Sequence, residues 1–182
     1  MNFSQLGRDI GISTPTAQKW LAVLKATYQW IELPALSANP VKNISQKPKG
    51  CLADTGLACA LLRISSPEAL PGHPAFGAVF ESGCVAELLK QVQALPLQPA
   101  AWHYRQHSGA EVDVVFELDG RLTPVEIKAA SAVGPRDLLS LRRFMDLHHK
   151  HCRTGLLLYA GDKPLRLAAD ILALPFDLRL DD

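Results

Sequence analysis

The chain has 182 residues, is 48% hydrophobic and 20% charged, and carries a net charge of +1. Those figures describe a folded protein and exclude a disordered or polyanionic one; at this balance only the distribution of charge bears on nucleic acid. No apolar run approaches the roughly 20 residues of a membrane span, the start MNFSQLGRD has no signal-peptide layout, and the four cysteines lack metal spacing, so a cytoplasmic protein with reduced thiols and no membrane contact is expected.

The first forty residues read as a helix-turn-helix. Ser4 is a cap for a short helix through Ile10, Gly11 makes the turn, and Ser13 caps a second helix with Pro15 in its first turn. Ala17, Trp20, Leu21 and Leu24 follow at i, i+3, i+4 and i+7, which predicts one buried stripe. TYQWIEL then looks like a strand, SANPVKNISQKPKG like a basic loop, and CLA like a short strand. This is the outline of a winged-helix-like part over residues 1–53, whose Lys42, Lys47 and Lys49 are candidates for phosphate contact. A helix-turn-helix that serves only as a packing module has the same pattern.

Residues 54–75 form a linker, with Asp54 capping the short helix TGLACALLR. A longer helix spans about 76–92, with Phe80, Cys84, Val85, Leu88, Leu89 and Val92 inward and Glu81 at the edge of that stripe. The strand AWHYR precedes GAEVDVVFELDGRLTPVEIKAA, two alternating runs joined by Asp119-Gly120, the strongest short-range hairpin signal. With those two residues as the loop, Leu118 pairs with Arg121, Asp113 falls opposite Glu126, and Glu111 falls opposite Lys128. Two acids about 4.5 Å apart in Cα across a strand pair repel, so solvent, a proton, a lysine ammonium or a divalent cation must offset them. An exposed hairpin face with a Glu111–Lys128 surface pair is the functionally silent alternative. GPRDLLSLRRFMDLHHK is an amphipathic helix with Leu138, Leu141, Phe144 and Met145 inward and with Arg142 and Arg143 available to phosphates. TGLLLYAG is a buried strand, and PLRLAADILALPF a further strand and docking tail. The step from VEIK through the helix to LLLY is a βαβ crossover, which predicts a mixed sheet with helices on both faces over residues 76–182.

The order helix-strand-strand-strand-helix-strand, with Asp113 on the second strand and Glu126-Ile127-Lys128 on the third, resembles the PD-(D/E)xK nuclease superfamily. The resemblance implies a restriction-endonuclease-like αβββαβ core in which Asp113 and Glu126 hold Mg²⁺ or Mn²⁺ and Lys128 orients or activates the attacking water. Glu81 matches the helix acid that often completes the metal site, and Glu111 is an alternative third acid. Val112 stands where the superfamily label has proline. Over nearly its whole length the chain also looks like a bacterial domain of uncharacterised function found at the C-terminus of P-loop ATPases of the AAA+ class. The stretches that carry this are TAQKWLAVLKATYQWIELP, KPKGCLADTGLACALL, FGAVFESGCVAELLK, WHYRQHSGAEVDVVFE and PVEIKA. That resemblance implies an ATPase domain as partner, outside this chain, which itself has no Gly-x-x-x-x-Gly-Lys-[Ser/Thr] for ATP. Three functions stay open: a metal-dependent phosphodiesterase, a DNA-binding module without cleavage, and a non-catalytic protein-interaction module coupled to the ATPase.

Overall fold

The computed structural model describes residues 2–36, 47–106 and 110–177. Helices α1 (Phe3–Ile10) and α2 (Thr14–Ala26) come first, then a two-stranded antiparallel sheet of β1 (Trp30–Leu33) and β2 (Lys49–Leu52). Lys42 and most of the basic loop lie outside the described residues. After α3 (Thr55–Leu61) and α4 (Phe76–Gln93) come β3 (Ala100–Arg105), β4 (Glu111–Leu118), β5 (Arg121–Lys128), α5 (Leu139–Leu147), β6 (Gly155–Tyr159), β7 (Leu165–Ala168) and β8 (Ile171–Pro175). The last six strands form one mixed sheet in the order β3-β4-β5-β6-β8-β7. β5, β6 and β8 run parallel, so the helix between β5 and β6 is a crossover as the sequence predicts. Where one further strand was expected at the end, there are two, β7 and β8, paired antiparallel. Among the described residues no helix is long and apolar enough to cross a membrane.

Local signals explain most element boundaries. Asn2, not Ser4, caps α1, its side chain accepting from the Gln5 N–H; the asparagine stands one residue before the first helical turn, where a cap oxygen reaches an unsatisfied donor. Gly11 closes α1 at φ +73°, and Ser13 and Asp54 cap α2 and α3. Asp119 and Gly120 both have positive φ, which gives the hairpin turn the twist that its strands need.

The sheet carries a helix on each face. On one side Leu138, Leu141, Phe144 and Met145 pack with Val112, Val115, Leu157 and Tyr159. On the other, Cys84 and Val85 of α4 pack with Val114, Val125, Ile127 and Leu158, and Phe80, Leu88 and Leu89 border them. The inward stripe expected for α2 is only half formed. Ala17 and Leu21 are buried, whereas Trp20 is 62% exposed and Leu24 lies at the surface, because the first helix covers only one side of this one. The N-terminal part is fastened to the sheet edge: Ala35 bridges His103 in parallel, Leu36 N–H donates to the His103 carbonyl, and His103 N–H donates to the Pro34 carbonyl.

Candidate functional site

The hairpin behaves as two different structures along its length. From Leu118↔Arg121 back to Val114↔Val125 the ladder keeps the register read from the sequence. There it stops. Against β3, Trp102 pairs with Val115 and Tyr104 with Val112, so three steps of β4 oppose two of β3. That bulge inserts one extra residue and turns the strand, which is why Val112 and Val114 pack into opposite cores despite being two apart. Asp113 sits in the break. Its Oδ2 accepts the Ile127 N–H at 2.8 Å, the donor that a continued ladder would give to the Val112 carbonyl. The functionally silent alternative, an exposed hairpin face, does not hold at these two acids: Asp113 and Glu126 are 8% and 6% exposed.

The other Asp113 oxygen answers the question of what offsets the acids. Oδ1 accepts from the Nζ of Lys49 at 2.7 Å. The same ammonium lies 2.8 Å from Glu81 Oε1 and 3.6 Å from Glu111 Oε1. Glu111 also faces Arg105 at 3.7 Å, so its expected pairing with Lys128 is replaced, the bulge having shifted it toward β3. Lys128 instead donates to Glu126 Oε1 at 2.7 Å. Glu126 Oε2 is buried and without a partner.

Lys49 reaches the acids because β2 begins at Lys49 rather than at Cys51. In a strand, residues 49 and 51 share one face, and Cys51 packs into the core beneath α4. Lys49 must then point the same way, although the basic loop had suggested an outward phosphate contact. Gly50 faces the other side. A β-carbon there would fall 2.3 Å from the Trp30 ring, so glycine lets the indole lie flat on β2 and hold it in place.

Burial and charge shape the ionisation. Burial opposes the charged form of Lys49, but Asp113 and Glu81 more than compensate and raise its pKa, so it stays an ammonium. Burial first, and the Asp113 charge second, push Glu126 up to about 7, partly opposed by Lys128. Burial beside Glu81 lifts the Cys51 thiol to about 11, which makes it inert.

Glu81, Glu111 and Asp113 thus converge, with Glu126 and Lys128 alongside Asp113. They converge on a lysine. With that ammonium in place the acids do not fit a divalent cation, and among the described residues no three His, Cys, Asp or Glu side chains are arranged to hold one. Arg142 and Arg143 are exposed on α5, on the sheet face opposite α4 and Glu81. Lys47 is exposed, and its carbonyl is 3.2 Å from His103 Nε2. One open cleft, lined by Phe80, Ser131, Tyr159 and Asp177 among others, does not include the acids.

Residues 76–178 match a domain of unknown function, DUF4143, which is often found at the C-terminus of AAA-ATPase proteins, and residues 1–68 match a second domain of unknown function, DUF8612. The chain is also similar to uncharacterised proteins of Mycobacterium tuberculosis and Mycobacterium bovis, 30% identical over 175 residues. The match covers 96% of this chain and 38% of each mycobacterial protein, so the chain spans well under half of their length. No solved structure matches it. Lys49 therefore falls in one matched region while Glu81, Glu111, Asp113, Glu126 and Lys128 fall in the other. On the match over more than half of its length, the chain belongs to the DUF4143 family.

Proposed function

We propose that the chain is the C-terminal module of an AAA+-type ATPase, built on a nuclease-like core, and that with Lys49 in place it couples the ATPase to a partner and does not cleave phosphodiesters. The observation that carries this is the Lys49 ammonium among Asp113, Glu81 and Glu111, where a phosphodiesterase would need a metal. The nuclease-like ancestry is supported by the element order from α4 to β6 and by Asp113, Glu126 and Lys128 meeting at the end of the β4–β5 ladder. Keeping a fold without its chemistry is common.

One observation favours a metal-dependent phosphodiesterase as the second reading: Glu126 is buried beside Asp113 with one oxygen unpartnered. In that reading Glu81, Asp113 and Glu126 hold Mg²⁺ or Mn²⁺, and Lys128 contacts the nucleophile or the scissile phosphate. Single-stranded, duplex and branched DNA and RNA incubated with the chain and either metal separate the two. We expect no cleavage that depends on Asp113; cleavage by the wild type that Asp113→Asn abolishes would overturn the first reading.

Nucleic-acid engagement is a separate part of the proposal. It rests on exposed Arg142 and Arg143 of α5 and on Lys47, all clear of the acids. Replacing both arginines with alanine should reduce the slope of log affinity against log salt by about 2, at about 0.9 per phosphate contact on duplex DNA. An unchanged slope removes α5 from any such interface.

A further inference from the structure

Three parallel strands end together on one side of the large sheet. β5, β6 and β8 stop at Lys128, Tyr159 and Pro175. Just past those ends, Ser131, Asp162, Phe176 and Asp177 line an open cleft, together with Tyr159 and with Phe80 of α4. Open α/β sheets take their ligands in the crevice outside the carboxyl ends of their strands. The cleft measures about 510 Å³, inside the range of ligand sites, roughly 300–1,000 Å³.

Backbone contacts fix its shape. The Ala160 N–H donates to the Ala130 carbonyl and the Phe176 N–H to the Tyr159 carbonyl, both at 3.1 Å, which ties the three segments beyond the strands to one another. The Tyr159 hydroxyl donates to the Lys163 carbonyl and draws the 160–163 loop over its own ring. Gly161 lies so close to that ring and to the Ser131 carbonyl that a β-carbon there would run into both. A site held in this way loses little conformational freedom when it is filled.

The lining selects a class of ligand. Phe80 and Phe176 meet edge to face, with ring centres 5.7 Å apart, and Phe176 stays 38% exposed, so one wall is aromatic and open. Asp162 and Asp177 are exposed and form no ion pair or side-chain hydrogen bond among the described residues, and no described lining residue is a cation. Two unpaired carboxylates repel a phosphate backbone and attract a positive charge. The rings decide which one. A lysine ammonium holds its water strongly, whereas a guanidinium is weakly hydrated, lies flat on an aromatic face and offers forked donors to carboxylates.

We propose that this cleft receives an arginine side chain presented by a partner protein. The inference rests on the reading that the chain couples an ATPase to a partner, and it names the chemistry by which a partner is held.

The probe is N-acetyl-L-argininamide, titrated into the full 182-residue chain and followed by the backbone amide resonances of Gly161, Asp162, Phe176 and Asp177. Those amides should shift saturably. The neutral isostere N-acetyl-L-citrullinamide should bind at least about tenfold more weakly, and so should the arginine probe to the double variant Asp162→Asn with Asp177→Asn. Phe176→Ala should weaken the arginine probe as well, and blocked lysine should bind wild type less tightly than blocked arginine. No shift at these amides overturns the inference, as does equal binding of the citrulline or lysine probe, or affinity that survives the double variant. The citrulline and lysine comparisons need no variant to fold. Shifts of the same amides by a short DNA duplex would make the cleft a nucleic-acid contact and overturn it too. Failure here leaves the absence of Asp113-dependent cleavage standing, whereas such cleavage overturns the functional reading whatever the cleft binds.

Discussion

The two ends of the β4–β5 hairpin are made of the same kind of alternating sequence and end in opposite states. At the closed end five consecutive pairs run from the Asp119-Gly120 turn to Val114↔Val125, and Val114, Val115 and Val125 are buried in the core while Leu118 beside the turn stays exposed. At the open end the ladder breaks and a bulge turns β4; Asp113 is held by the Lys49 ammonium and the Ile127 N–H, and Glu126 by the Lys128 ammonium. The closed end is governed by local chemistry. The open end depends on a lysine that lies 64 residues upstream of Asp113. Strand pairing next to a tight turn needs little loop closure, whereas the break persists only because distant groups satisfy Asp113.

The sharpest way to break this contrast is at Lys49. Lys49→Ala leaves Asp113 and Glu81 without their cation and should lower stability by about 3 kcal/mol at neutral pH, the low end for a broken buried pair because the lysine is 22% exposed. Urea unfolding reads that loss; a change within experimental error would mean that solvent already balances the acids.

Glu126 gives an effect of similar size that depends on pH. Its folded pKa, about 7, lies above the ordinary 4.5, so from pH 4.5 to 7 the unfolded state ionises first and stability falls as pH rises. Below pH 4.5 the group contributes nothing, and above 7 the penalty levels off at about 3 kcal/mol. Glu126→Gln should flatten that decline, seen as urea midpoints at pH 5 and pH 8 that differ less than in wild type. Equal differences in both proteins would show that Glu126 is not held in a charge-averse site.

At the closed end the effects are packing effects. Val114→Ala removes two methyl groups from a fully buried position and should cost about 2 kcal/mol, read as a lower urea midpoint at every pH. Gly120→Ala puts a β-carbon at φ +72° and should cost about 1 kcal/mol, read as a fall in Tm. If either change also removed the pH-dependent decline set by Glu126, the two ends would not be independent.

Much of the fold could be read in advance, for identifiable reasons. Ser13 and Asp54 announce helix starts because a short polar side chain reaches its own next turn. The stripe Leu138, Leu141, Phe144 and Met145 is buried as the 3.6-residue period requires. The α2 stripe misled because periodicity reports an apolar face and not what covers it, so Trp20 stays exposed. The acids Asp113, Glu126 and Glu81 were legible as a group, but their counter-ion was not. A strand drawn from Cys51 leaves Lys49 in a loop; begun at Lys49, it turns the side chain inward with Cys51.

By itself the sequence determined most of the elements, though not the split of the last strand into β7 and β8 or the start of β2, together with the hairpin turn, the register beside it and the strand positions of the acids, because each depends on residues a few places apart. Only the tertiary structure decided that β4 bulges at Asp113, that Glu111 turns toward Arg105, and that an ammonium from the N-terminal sheet stands among the carboxylates. Those outcomes are set by burial and charge between residues far apart in the chain. An acid taken out of water must find a cation, and which cation is near is a property of the packed molecule.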